Sequence, residues 1–187
     1  VDGVKTADPR LVAEARTLTV TTYDEIAQMA HYGAKVVHPR AVEIAMQHRV
    51  PIRVRSTFSD GPGTLITYSA EAGVMFSEPF SDRLVTAVTH VVGLAQVVVK
   101  TGRDWATPRL FRRLANAGIS VDLISVSPEQ SAFSIPEQRA AQAEIILTEL
   151  GLVDIQVRHG CAKVTVVGSG MRGRPGVMAT VAEALYA

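Results

Sequence analysis

The order of the predicted strands and helices between residues 83 and 159 most restricts what this chain can fold into. Gly118 and Gly151 each end a helical stretch, and Pro128-Glu129 marks a turn between two strands. The predicted segments are strand 94–99, helix 108–117, strand 120–127, strand 131–135, helix 136–150 and strand 153–158. Strand 120–127 is expected to alternate apolar and polar positions. This βαββαβ order is that of a split-βαβ, ferredoxin-like α+β sandwich.

The pattern begins again after residue 160. A strand over Lys163–Val167, a glycine-rich loop and a helix over Val177–Tyr186 follow in order. We therefore expect a second βαββαβ domain over residues 160–187 that is truncated.

Residues 1–68 carry a different, α/β pattern. Thr22 to Glu25 forms a capping box that starts a helix, Gly33 ends that helix, and Pro39 opens the next one in the first turn. A strand over 50–57, a turn over 60–63 and a strand over 64–67 follow. Residues 1–20 are predicted to be a loop, and residues 69–82, which show no periodicity, are predicted to be a linker.

Composition excludes several classes of protein. The formal net charge is +1, which gives no electrostatic reason to bind nucleic acid or an anionic membrane. The single cysteine, Cys161, cannot form an intramolecular disulfide and is no zinc site by itself, which favours a reducing, cytoplasmic compartment. The apolar run Val91–Val99 is too short to span a bilayer.

Three motifs in order carry a family resemblance: Ala7-Asp8-Pro9-Arg10, Gly33-Ala34-Lys35-Val36-Val37-His38-Pro39 and Arg53-Val54-Arg55-Ser56-Thr57. They resemble the end of the aspartate kinase catalytic domain, which has the amino-acid-kinase fold. The βαββαβ unit and the start of another resemble the paired ACT regulatory domains of the same enzymes. The resemblance implies a kinase-domain segment over 1–68, a first ACT domain over 83–159 and a truncated second one over 160–187.

The resemblance implies a set of ATP contacts in the first segment: Asp2, Lys5, Arg10, Lys35 and Val36. Phosphoryl transfer depends on fixed cations that meet the polyphosphate. Arg10 offers a planar fork for two phosphate oxygens, and Lys35 offers a compact charge. From residue type alone, Arg10 would be a surface ion pair and Lys35 a solvated residue. Lys5 stands where the family often has tyrosine, and His38 is expected to fix the turn before Pro39.

An amino-acid effector site is the second implication. The effector candidates are Asp104, Thr107, Asp122, Ser125 and Ser127. The helix start at Thr107 could receive a carboxylate, Asp122 could take an ammonium group, and the two serines could fix orientation. The competing interpretation is that Asp122 caps a turn and the serines lie on a solvated sheet face. Lysine, threonine and diaminopimelate stay open as effectors, with the overall pattern nearest to the diaminopimelate-sensitive type.

The stretch Gly168-Ser169-Gly170-Met171-Arg172-Gly173 has the glycine spacing of a dinucleotide-binding loop. Pro175 places the next helix after the third glycine, where a dinucleotide loop would need that glycine inside the first helical turn. We therefore interpret it as the second ACT loop of the aspartate kinases rather than a cofactor site.

The function that the resemblance implies is ATP- and Mg²⁺-dependent phosphorylation of the aspartate side chain, under feedback by an end-product amino acid. It places the principal catalytic residues upstream of Val1, so this chain alone is expected to be inactive. We expect a homodimer formed through the ACT sheets, with no nucleic-acid partner and no metal site of the chain's own. The alternative is a non-catalytic, amino-acid-binding regulatory subunit.

Overall fold

The computed structural model describes residues 1–68, 84–101, 106–171 and 173–186. These fall into two compact units, a first unit of residues 1–90 and 164–187 and a second unit of residues 91–163. The predicted linker 69–82 lies outside the described residues.

The first unit begins with a three-stranded sheet and two helices. Its elements are β1 (Val20–Thr22), α1 (Tyr23–His31), α2 (Pro39–Gln47), β2 (Ile52–Val54) and β3 (Thr64–Thr67). The strand order is β1-β3-β2, with β1 parallel to β3 and β2 antiparallel to it. The helix starts were predicted correctly: Thr22 caps α1 in a complete capping box, and Pro39 occupies the first turn of α2.

The remaining elements form the predicted βαββαβ order. They are β4 (Ala87–Lys100), α3 (Ala106–Asn116), β5 (Asp122–Val126), β6 (Gln130–Pro136), α4 (Ala140–Glu149), β7 (Ile155–Val167) and α5 (Val177–Tyr186). The sheet order β5-β6-β4-β7 is that of a ferredoxin-like sandwich. The predicted mixed α/β and α+β fold class is therefore confirmed.

Each unit has its own apolar core. In the second unit, Val97 pairs with Phe133 across β4 and β6, and both pack beneath Leu110 of α3 and Leu147 of α4. The first unit buries a separate set that includes Ile26, Met29, Val42, Ile66 and Val167. Each such side chain contributes about 1.5–3 kcal/mol when it is fully buried.

Several predicted boundaries were wrong. The loop assigned to residues 1–20 ends in β1, and the strand assigned to 50–57 is limited to Ile52–Val54. The helix assigned to 136–150 starts with a 3-10 turn over Glu137–Arg139. In α2, Ala41 is exposed, so the buried stripe consists of Val42 with the half-buried Ala45 and Met46.

Two predictions about strands were wrong. Strands 153–158 and 163–167 are one continuous strand, β7, because Gly160 adopts a left-handed φ of 66° without ending the pairing. The alternation expected in 120–127 is absent from β5, whose five residues are all exposed. An edge strand that is exposed on both faces needs no apolar period.

Candidate functional site

The loop over residues 1–18 is fixed to the sheet beside it by a glycine. Gly3 has a φ of 143°, and a side chain there would bring its Cβ to 2.6 Å from Thr17 Cγ2 and 2.7 Å from Thr64 Oγ1. The next residue, Val4, is buried and donates its N–H to Thr64 Oγ1 over 2.8 Å. The predicted nucleotide-contact loop therefore starts from a rigid anchor.

Asp8 orients Arg10 on this loop. Asp8 Oδ1 accepts from the backbone N–H and from Nε of Arg10, both at 3.0 Å, and Oδ2 lies 2.7 Å from the NH2 nitrogen. This side-chain hydrogen bonding from Arg10 lowers the pKa of Asp8 to about 2. The ion pair expected from residue type is present, yet 85% of the Arg10 side chain stays exposed and accessible to a ligand.

The other predicted nucleotide residues also lie in the first unit. Lys5 Nζ donates to Thr17 Oγ1 over 3.2 Å, while Asp2 and Lys35 are exposed. Val36 is half-buried against the apolar core.

His38 has the turn-fixing role that was expected of it. Its Nδ1 accepts from the backbone N–H of Arg40 over 3.2 Å, so it caps the start of α2 ahead of Pro39. The imidazole is thereby assigned to helix capping rather than to acid-base chemistry.

Asp122, the predicted ammonium site, opens the edge strand β5. Its Oδ1 accepts from the N–H of Leu123 over 2.8 Å, and its Oδ2 accepts from the ammonium of Lys163. The hydrogen bond from Lys163, followed by that from Leu123, lowers the pKa of Asp122. The carboxylate is therefore ionised and already holds an amine.

The remaining effector candidates are divided. Thr107 lies in the first turn of α3, with its Oγ1 3.4 Å from Ser131 Oγ. Ser125 is on β5 opposite Ala132. Ser127 lies beyond the strand, contrary to expectation, and both donates to and accepts from the backbone of Gln130 over 3.1 Å. Asp104 lies outside the described residues.

Glu25 is a buried charged residue for which the sequence predicted only a role in capping α1. This carboxylate is almost fully buried in the first unit. Oε1 accepts from Thr86 Oγ1 at 2.6 Å and from the hydroxyl and N–H of Ser169 at 3.1 and 3.3 Å. Oε2 accepts from Thr21 Oγ1 at 3.1 Å and from the Thr22 N–H at 3.0 Å.

The pKa of Glu25 reflects two opposed effects. Burial raises it, but the hydrogen bonds from Thr86, Thr22, Ser169 and Thr21 together outweigh burial and lower it. The carboxylate is therefore ionised at neutral pH and joins three separate segments of the first unit. Its capping spacing was visible in the sequence, but nothing there indicated the partners at residues 86 and 169.

The glycine-rich stretch after β7 is one of those partners. A side chain at Gly168 would bring its Cβ to 2.2 Å from the carbonyl oxygen of Leu84, so only glycine fits. Ser169 then gives both its amide and its hydroxyl to Glu25. Two donors of this glycine-rich stretch are thus directed at an internal carboxylate and not at a ligand.

The described part of the chain contains no group of three or more His, Cys, Asp or Glu side chains placed to hold a metal ion. Within the same residues, no helix has the length and apolar character required to cross a membrane.

Two family models match parts of the chain. A model of the amino acid kinase family matches residues 1–56, and an ACT domain model matches residues 156–187. Aspartokinase 1 of Bacillus subtilis is 45% identical over 189 residues, a match that covers 99% of this chain and 46% of the relative. The chain thus spans about half the length of the curated relatives it matches.

Solved structures are similar over the same extent. The aspartate kinase of Clostridium acetobutylicum aligns with a TM-score of 0.86 over 100% of this chain and 44% of that one, at 20% identity, which shows the fold alone. E. coli aspartokinase III in complex with aspartate and ADP aligns with a TM-score of 0.75 at 27% identity, over 99% of this chain and 42% of that one. The same enzyme in complex with lysine and aspartate aligns with a TM-score of 0.66 at 27% identity, over 90% of this chain and 38% of that one.

Proposed function

Because this chain is homologous to aspartokinases along almost its whole length, we propose that it belongs to an aspartate kinase. The proposed reaction is transfer of the γ-phosphoryl group of ATP to the side-chain carboxylate of aspartate, under feedback by an end-product amino acid. The observation that carries the proposal is 45% identity over 99% of the chain to an aspartokinase. In this arrangement, residues 1–68 close the kinase domain, 69–82 link it, and 83–159 and 160–187 form ACT regions.

Arg10 is the central residue of the proposed nucleotide surface. Transfer of a phosphoryl group spreads negative charge over oxygens that fixed cations stabilise. Asp8 holds the Arg10 guanidinium in one orientation, which lowers the entropy lost when it meets a phosphate. Lys35, Lys5, Asp2 and Val36 complete the surface.

Magnesium enters this scheme with the nucleotide. Mg²⁺ is usually held by substrate phosphates and one or two carboxylates, rather than by an all-protein cage. We assign no residue of this chain to the ion. The principal catalytic residues are likewise not assigned to this chain.

The proposed effector site lies on β5 and α3. The exposed, ionised Asp122 would bind the ammonium group, and the start of α3 near Thr107 would receive the carboxylate. Ser125 and Ser127 would contribute hydroxyls, and Asp104 belongs to the same set. Because aspartokinase III of E. coli has been solved with lysine, lysine is the first effector to test, followed by threonine and diaminopimelate.

Cellular context forms part of the proposal. The single cysteine favours a reducing compartment, so we propose a cytoplasmic protein in amino-acid biosynthesis toward lysine and threonine. The exposed edge strand β5 favours a homodimer through the ACT sheets.

The test compares two arginines of one loop in the full-length protein. We expect Arg10→Ala to weaken MgATP binding about tenfold or more, since a charge-assisted contact contributes about 1.5–3 kcal/mol. Arg16→Ala is the matched control, because Arg16 is also exposed on residues 1–18 but carries no proposed nucleotide contact. ADP release in the presence of aspartate, with each effector added in turn, measures activity.

The same measurements distinguish an aspartate kinase from the alternative, a non-catalytic regulatory subunit. A regulatory subunit without catalysis would need no nucleotide contact, so the wild-type protein and both arginine variants would neither bind MgATP nor release ADP. That result would favour an amino-acid-binding subunit over an enzyme.

A further inference from the structure

Lys163 is a shielded cation that the proposed function does not use. It lies on β7 in the second unit, and only 10% of its side chain is exposed. An ammonium group that leaves water must be compensated by an opposite charge and hydrogen bonds. Its ammonium meets the carboxylate of Asp122, 41 residues earlier in the chain.

The carboxylate that holds Lys163 is the more accessible member of the pair. The Asp122 side chain is 56% exposed, and one of its oxygens is already bonded to the Leu123 N–H. The other oxygen accepts from Lys163, so an incoming ammonium group must share an oxygen that already has a donor. A lysine ammonium and the ammonium of a free amino acid have the same charge and the same three donors.

The backbone beside Asp122 is irregular in a way that holds this carboxylate in place. Leu123 adopts a left-handed φ of 47°, and the β5–β6 register shifts between Asp122 and Ser125. Ser134 Oγ donates to the Asp122 carbonyl over 3.1 Å. Bulges redirect side chains, and strained residues persist where their surroundings fix them.

We propose that Lys163 is an internal competitor for the amino-acid effector at Asp122. An effector ammonium and the Lys163 ammonium oppose each other at Asp122, because two like charges on one carboxylate repel each other. The Lys163-bound fraction therefore lowers the apparent affinity for effector. Binding of effector in turn weakens the side-chain ion pair between Lys163 of β7 and Asp122 of β5. The inference rests on the proposed effector role of Asp122.

The experiment measures binding of lysine, threonine and diaminopimelate, each by calorimetry, to the full-length protein and its variants. Lys163→Met and Lys163→Gln remove the competing charge, and both are used so that one folded neutral variant is available. We expect them to bind effector about fivefold more tightly or better, the lower end of typical coupling between sites. Lys163→Arg retains a cation and should bind within about twofold of wild type, since it preserves the competition.

Two further variants control for charge and for the site. Lys100→Met removes a lysine from another ion pair of the same unit, Lys100–Asp154 at 2.5 Å, and should leave effector affinity unchanged. Asp122→Asn should weaken binding about tenfold or more, because a charge-assisted contact is lost.

Amine-reactive labelling, detected by mass spectrometry, directly measures displacement of the Lys163 ammonium from Asp122. Saturating effector should raise the labelling of Lys163 in the wild-type protein and leave that of Lys100 unchanged. This readout depends on release of the ion pair, which a purely structural role of Lys163 would not produce.

The outcomes separate the two proposals. If wild type binds an effector but the neutral Lys163 variants bind no more tightly, Lys163 is not a competitor. The effector site at Asp122 then stands only if Asp122→Asn binds more weakly than wild type. If neither wild type nor the folded neutral variants bind any of the three amino acids, the effector site itself is wrong, and the competitor falls with it.

Discussion

At the scale of the residue, Glu25 shows how a negative charge is stabilised inside a protein by neutral groups. The donors that meet it are three hydroxyls and two backbone amides, and it lies in the first turn of α1, where the helix dipole favours an anion. Such a carboxylate stabilises the fold only while it is ionised.

Replacing Glu25 tests whether its ionised carboxylate stabilises the fold. We expect Glu25→Gln to lower the free energy of unfolding by about 2–4 kcal/mol at pH 7, because buried donors lose an ionised acceptor and the cap is weakened. The pKa of Glu25 is lowered in the folded state from an ordinary value of 4.5. Its contribution is therefore complete above pH 4.5 and is lost as the pH falls through the folded value.

Denaturant unfolding across that pH range measures the effect. The difference between wild type and Glu25→Gln should be largest at neutral pH and shrink on acidification. Glu14→Gln, an exposed glutamate of the same unit, is the control and should stay within about 0.5 kcal/mol of wild type. A difference independent of pH would show that charge is not the stabilising property.

At the scale of the element, β5 owes its shape to one residue in a left-handed conformation. The left-handed φ of 47° at Leu123 costs about 1–2 kcal/mol. The neighbouring Ile124 is not in the left-handed region and is almost equally exposed, at 55% against 59% for Leu123. The two positions therefore form a matched pair for measuring backbone strain.

Glycine at each position should have opposite consequences. Leu123→Gly relieves the strain, while Ile124→Gly only adds backbone entropy to the unfolded chain. We expect the Leu123 variant to be the more stable of the two by about 1–2 kcal/mol, as measured by chemical denaturation. Equal stabilities would mean that the left-handed conformation carries no strain in solution.

The helix starts could be predicted from the sequence, but the length of one strand could not. The capping box of α1 and the proline start of α2 were predictable because they depend on residues within one helical turn. The length of β7 was not predictable, because a glycine such as Gly160 is typical of a strand break, and yet the strand continues through it. Of the site, the sequence offered Asp122 but not its partner Lys163, which no local pattern links to it.

At the scale of the whole molecule, the exposed apolar side chains of β5 decide how copies of the chain could associate. Leu123, Ile124 and Val126 are each more than half exposed on the outer strand of the described four-stranded sheet. Unpaired strand edges associate unless charge or covering elements prevent it. The proposed homodimer would cover this edge.

A charged residue on the edge should therefore separate the subunits. Ile124→Lys is expected to weaken dimerisation about tenfold or more in sedimentation equilibrium, because lysine on an edge strand opposes pairing. Ile145→Lys on α4, at 61% exposure, is the control and should leave the dimer intact. If instead the Ile145 variant dissociates and the Ile124 variant does not, the subunits meet through the helices.

The contact between Glu25 and Ser169 spans 144 residues. During synthesis at about 5–20 residues per second, Glu25 would be added to the chain roughly 7–30 s before Ser169. In that interval α1 can already form with its local cap, but its acidic residue has no amide or hydroxyl from the glycine-rich turn to accept. A nascent chain stalled before residue 168 would therefore lack two of the five donors to this carboxylate, those of Ser169. The first unit would stay incomplete until the glycine-rich turn is made.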